Sequence, residues 1–449
     1  MSKSIKIKRG LDIKLKGKAQ EQVQDVSLSK FALKPTDFHG LFPKLSARVG
    51  DKVKRGSIVF FDKKRDYIQI PSPVSGTVTE VVRGAKRKML EVRIEADGSD
   101  DFVAFKKISS AEMNKDNVKS NLLESGLWSL IRQRPYNVVA NPAETAKAIF
   151  ISGFESAPLT ANVDFILQGN EAAFQAGLDA LTKLTEGKVN IGVNSNTKST
   201  ALTNAKGVEI NKFDGPHPAG NVGIQIHHIS PINKGEIVWT VQAQDVVTIG
   251  NLFLTGEYKP EITIALTGSE VQNPQYYKII RGGDIATIVD AKLNNSGDVR
   301  IISGNVLTGT KVEKAGYLGY YHNLITVIPE GNIYSFFGWL VPSPKKHSVY
   351  RTAFSWLSPN KEYVLNTNLN GGKRAFVFTG NMDKVLPMDI LPLELTKAII
   401  VDDIDMMENL GIYEVDEEDF ALCEYVNTSK IDIQAIIRKG LDNIRKEMS

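Results

Sequence analysis

The chain has 449 residues, 42% hydrophobic and 24% charged, the composition of an ordinary globular protein with room for roughly two to four domains. Its single cysteine, Cys423, excludes an internal disulfide and an iron–sulfur cluster held by about four thiolates, and points to a reducing compartment. No run reaches the roughly 18 apolar residues of a membrane span. The opening MSKSIKIKRG lacks an apolar signal core, which predicts a cytosolic or peripheral chain.

The net charge of +4 is unevenly spread. Residues 1–93 hold 22 Lys and Arg against 9 Asp and Glu, a net +13, which leaves −9 for the remainder. An anionic lipid surface or an acidic partner fits this basic segment, as does the chance charging of a small β-domain. Nucleic acid does not, for want of basic–aromatic interleaving or a reader motif. Residues 1–30 alternate (IKIKRGLDIKLKG), predicting a pair of strands with one exposed face. Short β runs with turns at Gly50-Asp51 and Gly56 follow, the pattern of a flattened barrel made of matching hairpins. In FDKKRDYIQIPSPVSGTV, Lys63 and Lys64 fall at a hairpin tip ahead of Ser72, much as lipoyl and biotinyl domains present a modified lysine. Three adjacent cations also suit a plain exposed turn, so the expectation is a carrier-like fold with structural lysines.

From 105 to 135 the pattern is helical (SAEMNKDNVKSNLLESGLWSLIRQRPY). Then AKAIFISGF reads as an apolar strand, NEAAFQAGLDALTKLTEG as an amphipathic helix ending at Gly187, and KVNIGVN as a strand. That is a βαβ unit with parallel strands. No Gly-x-Gly-x-x-Gly triplet follows the first strand, and Ala157-Pro158 puts a ring where a pyrophosphate would need N–H donors. Ser125-Gly126-Leu127-Trp128 offers one glycine where a flavin loop wants several.

His217, His227 and His228 crowd GPHPAGNVGIQIHHISP beside a lone acid, Asp214. On a strand His227 and His228 would face opposite ways, so no metal set is expected. Residues 258–330 are strand-rich, a small mixed module. After 385 the pattern turns helical, with VDDIDMMENL as a solvated face and Asp416 of DEEDF as an N-cap. No Ser/His/Asp or Cys/His constellation stands out.

Taken in order, SGLWSLIRQRPY, GPHPAGNVGI with IHHISP, NLFLTGE, VRIISGNVLTG, FFGW and DEEDFALCEY resemble the A subunit of the Na(+)-translocating NADH:quinone oxidoreductases. That family is similar to the C subunit of the Rnf complex and to the flavin-binding subunit of complex I. With the resemblance, the elements divide into an α/β and β multidomain fold. A lipoyl/biotinyl-like barrel-sandwich is expected over 1–104 and a Rossmann-like domain without a nucleotide motif over 105–257. A small α+β module (ubiquitin-like, SLBB) is expected over 258–330. Over 331–449 follows a mainly helical domain, like a ferredoxin-like cluster domain without its cluster.

The resemblance implies a peripheral protein at the cytoplasmic face of the bacterial inner membrane, bound chiefly to the integral membrane B subunit. It implies a complex of six subunits coupling NADH oxidation and ubiquinone reduction to Na+ export, with FAD, FMN, riboflavin and iron–sulfur centres in the others. Here it implies no cofactor, metal or catalytic residue, and a role in assembly and the quinone-reduction end. Where the relatives grip flavin, this chain has Ser125 to Pro135, with Trp128 filling the space of a ring. Trp128, Arg132, Arg134 and Tyr136, around Pro135, either sandwich a quinone head or plug the vacated site. Lys63, Lys64, Arg65, Arg87 and Lys88 are the expected membrane or partner docking points. Two other classes remain open: a lipoyl or biotin carrier modified at Lys63 or Lys64, and a soluble NADH–flavin oxidoreductase.

Overall fold

The computed structural model describes residues 3–448 apart from 295, 296, 335, 338–342, 344 and 351–353. Gly338 and Trp339 of the FFGW motif thus lie outside the described residues. The barrel-sandwich is made of two small sheets. One orders Lys30–Leu33, Met89–Ala96, Gly76–Arg83 and Lys52–Val53; the other orders Pro43–Leu45, Ile58–Asp62 and Arg65–Pro71. Ile68 and Ile70 alternate into its interior as a period-2 pleat requires, and Phe31, Val59, Phe60 and Val78 are buried with them; the neighbours Val59 and Phe60 are both buried where the pairing of their strand shifts register between Ile58 and Phe60.

The α/β domain holds a seven-stranded sheet among the described residues, with the order Ser4–Lys6, Glu209–Asp214, Lys188–Asn194, Ala148–Ser152, Val238–Thr240, Arg132–Arg134, Val138–Val139. Its central strands pair in parallel, Ile149 with Val189 and Ile191 with Ile210, so the βαβ unit forms as its apolar runs predict. Helix Glu171–Thr182 crosses helix Ala243–Thr255 at Gly177 and Gly250, where a Cβ on either glycine would collide with the other helix's backbone carbonyl. Close backbone approach is what those glycines permit.

The third sheet orders Thr310–Val312, Val299–Ser303, Leu324–Pro329, Glu261–Thr267, Gln275–Ile280 and Gln20–Asp25. Helix Ile285–Val289 packs on it through Ile285, Ile288 and Val289. Helices Pro392–Ile400, Ile404–Asn409, Ala421–Val426 and Ile433–Glu447 then gather a separate core with Met407, Phe420, Leu422 and Ile437.

Three expectations are corrected here. The alternating first 30 residues do not pair with each other: Ser4–Lys6 joins the α/β sheet beside Glu209–Asp214, and Gln20–Asp25 joins the third sheet beside Gln275–Ile280. Edge strands read alike whichever sheet they extend, because alternation fixes a face and not a neighbour. The helical pattern of 105–135 resolves into helix Lys115–Glu124, a 3-10 turn Leu127–Leu130 and the strand Arg132–Arg134. His227 and His228 lie on helix Val222–Ile229 rather than a strand.

Candidate functional site

Strand Arg132–Arg134 organises the site. Period-2 geometry sends Arg132 and Arg134 to one face and Gln133 to the other, where the Gln133 amide donates to the Glu144 carboxylate (2.9 Å). Arg134 is buried, 2% exposed. Its guanidinium donates to Asp419 (2.9 Å), Glu418 (2.5 Å) and Asp416 (3.4 Å). These acids belong to DEEDF, where Asp416 and Asp419 form a reciprocal capping box on the turn Glu417–Phe420. The expected N-cap is in place, and the same carboxylates ground a buried cation. A buried guanidinium is tolerated only when its charge is matched and its donors are used.

Gly223 of GPHPAGNVGI makes the arrangement possible, since a Cβ there would collide with the Asp419 carboxylate and the Arg134 guanidinium. The rest of that motif is a connector. The buried His217 faces the Ser156 hydroxyl (3.0 Å), which accepts the Gly220 N–H (2.8 Å), and burial lowers the imidazole to about 4, so the ring is neutral at pH 7. His227 Nδ1 meets Glu414 (2.7 Å) while its Nε2 accepts the Asp389 N–H (3.1 Å), and His228 Nδ1 meets the Ile224 carbonyl (2.9 Å). The three imidazoles are thus engaged separately. Among the described residues no group of three or more His, Cys, Asp or Glu is placed to hold a metal. Cys423 is buried, and burial raises its thiol pKa.

Arg132 and Arg134 line a cavity of about 590 Å³ where all four parts of the chain meet. The barrel contributes Asp37 and His39, the α/β domain Glu155 and Gln242, the third sheet's domain Tyr321 and Asn323, and the helical domain Glu417 and Glu418. The Arg132 guanidinium lies over the Tyr321 ring, 5.0 Å from its centre, a cation–π contact. The Tyr321 hydroxyl donates to the Ser129 carbonyl (2.7 Å). Glu155 accepts from Asn323 (2.9 Å), and burial holds its carboxyl above the usual range. Glu417 and Glu418 are both raised to about 7, by burial first; Asp416 then raises Glu417 against Arg438, while Asp419 and Asp416 raise Glu418 against Arg134.

Trp128 and Tyr136 do not join them in the cavity wall. Trp128 is 1% exposed, donates its indole N–H to the Ala140 carbonyl (2.8 Å) and stands edge-on to Trp239 at 5.5 Å. The turn that carries it starts at Gly126, in the left-handed region at φ 74°, where a Cβ would run into Pro71 of the barrel. The loop is therefore closed by packing between domains. Tyr136 packs on the helical core, and its carbonyl accepts from Arg438 (2.9 Å).

Among the basic residues, Lys63 and Lys64 occupy the exposed turn between Ile58–Asp62 and Arg65–Pro71. Lys64 lies over the Phe42 ring at 4.4 Å. Arg65 is engaged locally with the buried Asp62 (3.0 Å), so its charge is matched within the hairpin. Arg87 and Lys88 are exposed beside the turn Ala85–Arg87. Sequence reading missed Tyr321, Glu155, Arg438 and the acids facing Arg134. The one signal for the last was DEEDF itself, four acids around a turn with no cation in it.

Barrel-sandwich, α/β, mixed α+β and helical domains meeting around one cavity define a multidomain α/β and β protein. Three family models match: the NqrA N-terminal barrel-sandwich hybrid domain over 5–97, the NqrA second alpha/beta domain over 113–258, and the NQRA C-terminal domain over 263–314. The chain is 38% identical over 449 residues to the A subunit of a Na(+)-translocating NADH-quinone reductase from Neisseria meningitidis, covering 99% of this chain and 100% of that one. It is 39% identical to the Vibrio anguillarum protein of the same name, with the same coverage. The chain belongs to the family of Na(+)-translocating NADH-quinone reductase A subunits. A NAD+-reducing NiFe hydrogenase chain shows a remote likeness at 10% identity and TM-score 0.37, over 74% of this chain and 61% of that one.

Proposed function

We propose that this chain is the peripheral, cofactor-free component of a respiratory sodium pump that couples NADH oxidation and quinone reduction to Na+ export. It acts in assembly and at the quinone-reduction end, on the cytoplasmic face of the inner membrane, against the integral B subunit. The observation that supports this most is the end-to-end match to relatives bearing the reductase name, 99% of this chain against 100% of theirs. The cofactor-free reading is supported by Trp128, whose buried indole is held by Ala140 and Trp239 instead of lining the cavity. Lys63, Lys64, Arg87 and Lys88 remain the proposed electrostatic contacts to the complex; Arg65 contributes less, because Asp62 already matches it.

Quinone proximity passes from the loop as a whole to its two arginines. Arg132 has an aromatic neighbour in Tyr321 and lines a cavity able to take a flat head group. Its guanidinium would donate to a quinone carbonyl, a charge-assisted hydrogen bond worth about 1.5–3 kcal/mol. In the assembled complex, Arg132→Gln should therefore raise the apparent KM for quinone at least about tenfold. NADH oxidation with an artificial acceptor should be unaltered. An unchanged quinone KM in a fully assembled variant removes this cavity from the quinone path.

A further inference from the structure

The barrel sheet that orders Pro43–Leu45, Ile58–Asp62 and Arg65–Pro71 has one side in the core, marked by Ile68 and Ile70, and one side in solvent. Directly opposite residues of antiparallel strands share a face. The register sets Lys44 against Phe61 and Phe61 against Gln69, and none of the three is buried. Residues two apart on a strand lie on one side, so Phe42 joins Lys44 and Tyr67 joins Gln69. Side-chain contacts tie this outer face together. The Lys44 ammonium lies over the Phe61 ring, 5.4 Å from its centre, and that of Lys64 over the Phe42 ring at 4.4 Å. The Lys63 N–H donates to the Phe42 carbonyl (2.7 Å), which holds the lysine turn beside the first strand. Phe42 is 51% exposed and Tyr67 38%. A lone exposed apolar residue needs no explanation; three aromatic rings on one face of a three-stranded sheet do. Asp66 alternates to the side of Ile68, and Asp62 is buried against Arg65. The face thus carries lysines and rings, with no acid from its own strands.

We propose that this face seats on an anionic lipid surface, its rings at headgroup depth and its lysines on lipid phosphates. Aromatic rings favour that depth, and stable attachment takes an apolar and a basic signal together. A lysine stacked on a ring presents both at one level. The net +13 of residues 1–93 draws the same domain toward an anionic surface. A protein partner fits less well, because lysine is depleted from the cores of protein interfaces. No helix among the described residues is long and apolar enough to cross a membrane, so lipid contact by these residues is interfacial. The inference rests on the docking reading of Lys63 and Lys64 and names the surface they meet.

The test is sedimentation of the full-length chain with vesicles of phosphatidylcholine and phosphatidylglycerol mixed about two to one, against phosphatidylcholine alone. The chain should pellet with the anionic vesicles only, and less so as salt is raised. Phe42→Ser with Tyr67→Ser should lower the partition coefficient at least about tenfold. Lys63→Glu with Lys64→Glu should do the same by an independent route. Lys183→Glu with Lys206→Glu, an equal change of charge on the α/β domain, should bind as the parent does. An unfolding midpoint equal to that of the parent excludes misfolding. A parent chain that ignores anionic vesicles, or pellets equally with both kinds, overturns the proposal. So does a serine variant that binds normally, or an α/β variant that loses as much as the lysine-tip variant. Copurification with the integral membrane component judges the docking reading separately. A lysine-tip variant that copurifies like the parent at moderate ionic strength removes the tip from the contacts of the complex, whatever the vesicles show.

Discussion

Arg134→Met should destabilise the protein by about 3–5 kcal/mol, the range for removing one partner from a buried ion pair. The guanidinium is 3% exposed and its partners Asp416 and Asp419 are 2% and 0% exposed, so solvent cannot screen what is left behind. Asp416, Glu418 and Asp419 would lose the cation they share, and the helical domain would lose that polar tie to the α/β sheet. Arg134→Lys should recover only part of the loss, because one ammonium cannot fork to several carboxylates. The deficit should depend on pH with a definite sign. Glu417 and Glu418 have folded pKa values of about 7, above the unfolded value. The stability they contribute is therefore fully present below the unfolded pKa of about 4.3 and lost as pH rises through about 7. Urea unfolding should show the variant furthest from the parent at pH 8 and nearer to it at pH 6. A variant within about 1 kcal/mol of the parent at pH 8 would mean that the carboxylates find water instead.

Arg281→Met should produce a loss of similar size at a different joint. Arg281, following strand Gln275–Ile280, donates to Asp245 on helix Ala243–Thr255 and to the Tyr320 carbonyl, with its guanidinium 4.9 Å from the centre of the Tyr320 ring. Both charges are buried, at 3% and 1% exposed. Without the cation, Asp245 must bury a bare carboxylate or take up a proton, and either costs about 3–5 kcal/mol at neutral pH. Burial already raises the Asp245 pKa, so the penalty should ease as pH falls toward the unfolded value. Adding Asp245→Leu to Arg281→Met should restore a large part of the stability, since an apolar pair of similar volume often matches a buried ion pair. The double-mutant cycle in urea measures this coupling; additive losses would show that the two side chains do not act together.

The parts of the fold legible in the sequence are those set by local pattern. The run AIFI of strand Ala148–Ser152 is apolar because its residues are buried on both faces, and the helix of Glu171–Thr182 shows its buried stripe of Phe174, Leu178 and Leu181. The Lys63-Lys64 turn and the Asp416 cap were legible for the same reason. What lay hidden depends on partners far away in sequence. Ile5 pairs with Phe213 and Tyr277 with Gln24, and alternation cannot name such neighbours. The run GIQIHHI alternates like a strand yet folds as a helix whose residues Gly223 to Ile226 are all buried, Ile224 in the core with the C-terminal helices and Ile226 with Ala148 and Phe150 of the sheet, so the tertiary setting overrides the pattern. Trp128 offered two uses to the sequence, ligand platform or core; only the packing of Gly126 on Pro71 and the indole bond to Ala140 favour the core. The cavity wall draws single residues from four domains, so no motif announces it.

The central claim is that this chain completes the sodium pump while bringing no redox group of its own. The most direct measurement takes the complex, affinity-purified through its integral membrane component from cells with and without this chain, and compares sodium-stimulated quinone reduction by NADH, alongside the absorbance spectrum of the chain alone. The account predicts that the chain is colourless and does not oxidise NADH. It also predicts that the complex lacking the chain loses quinone reduction, and that adding the purified chain restores it. Stoichiometric flavin on the isolated chain, or full sodium-stimulated quinone reduction in its absence, would contradict it.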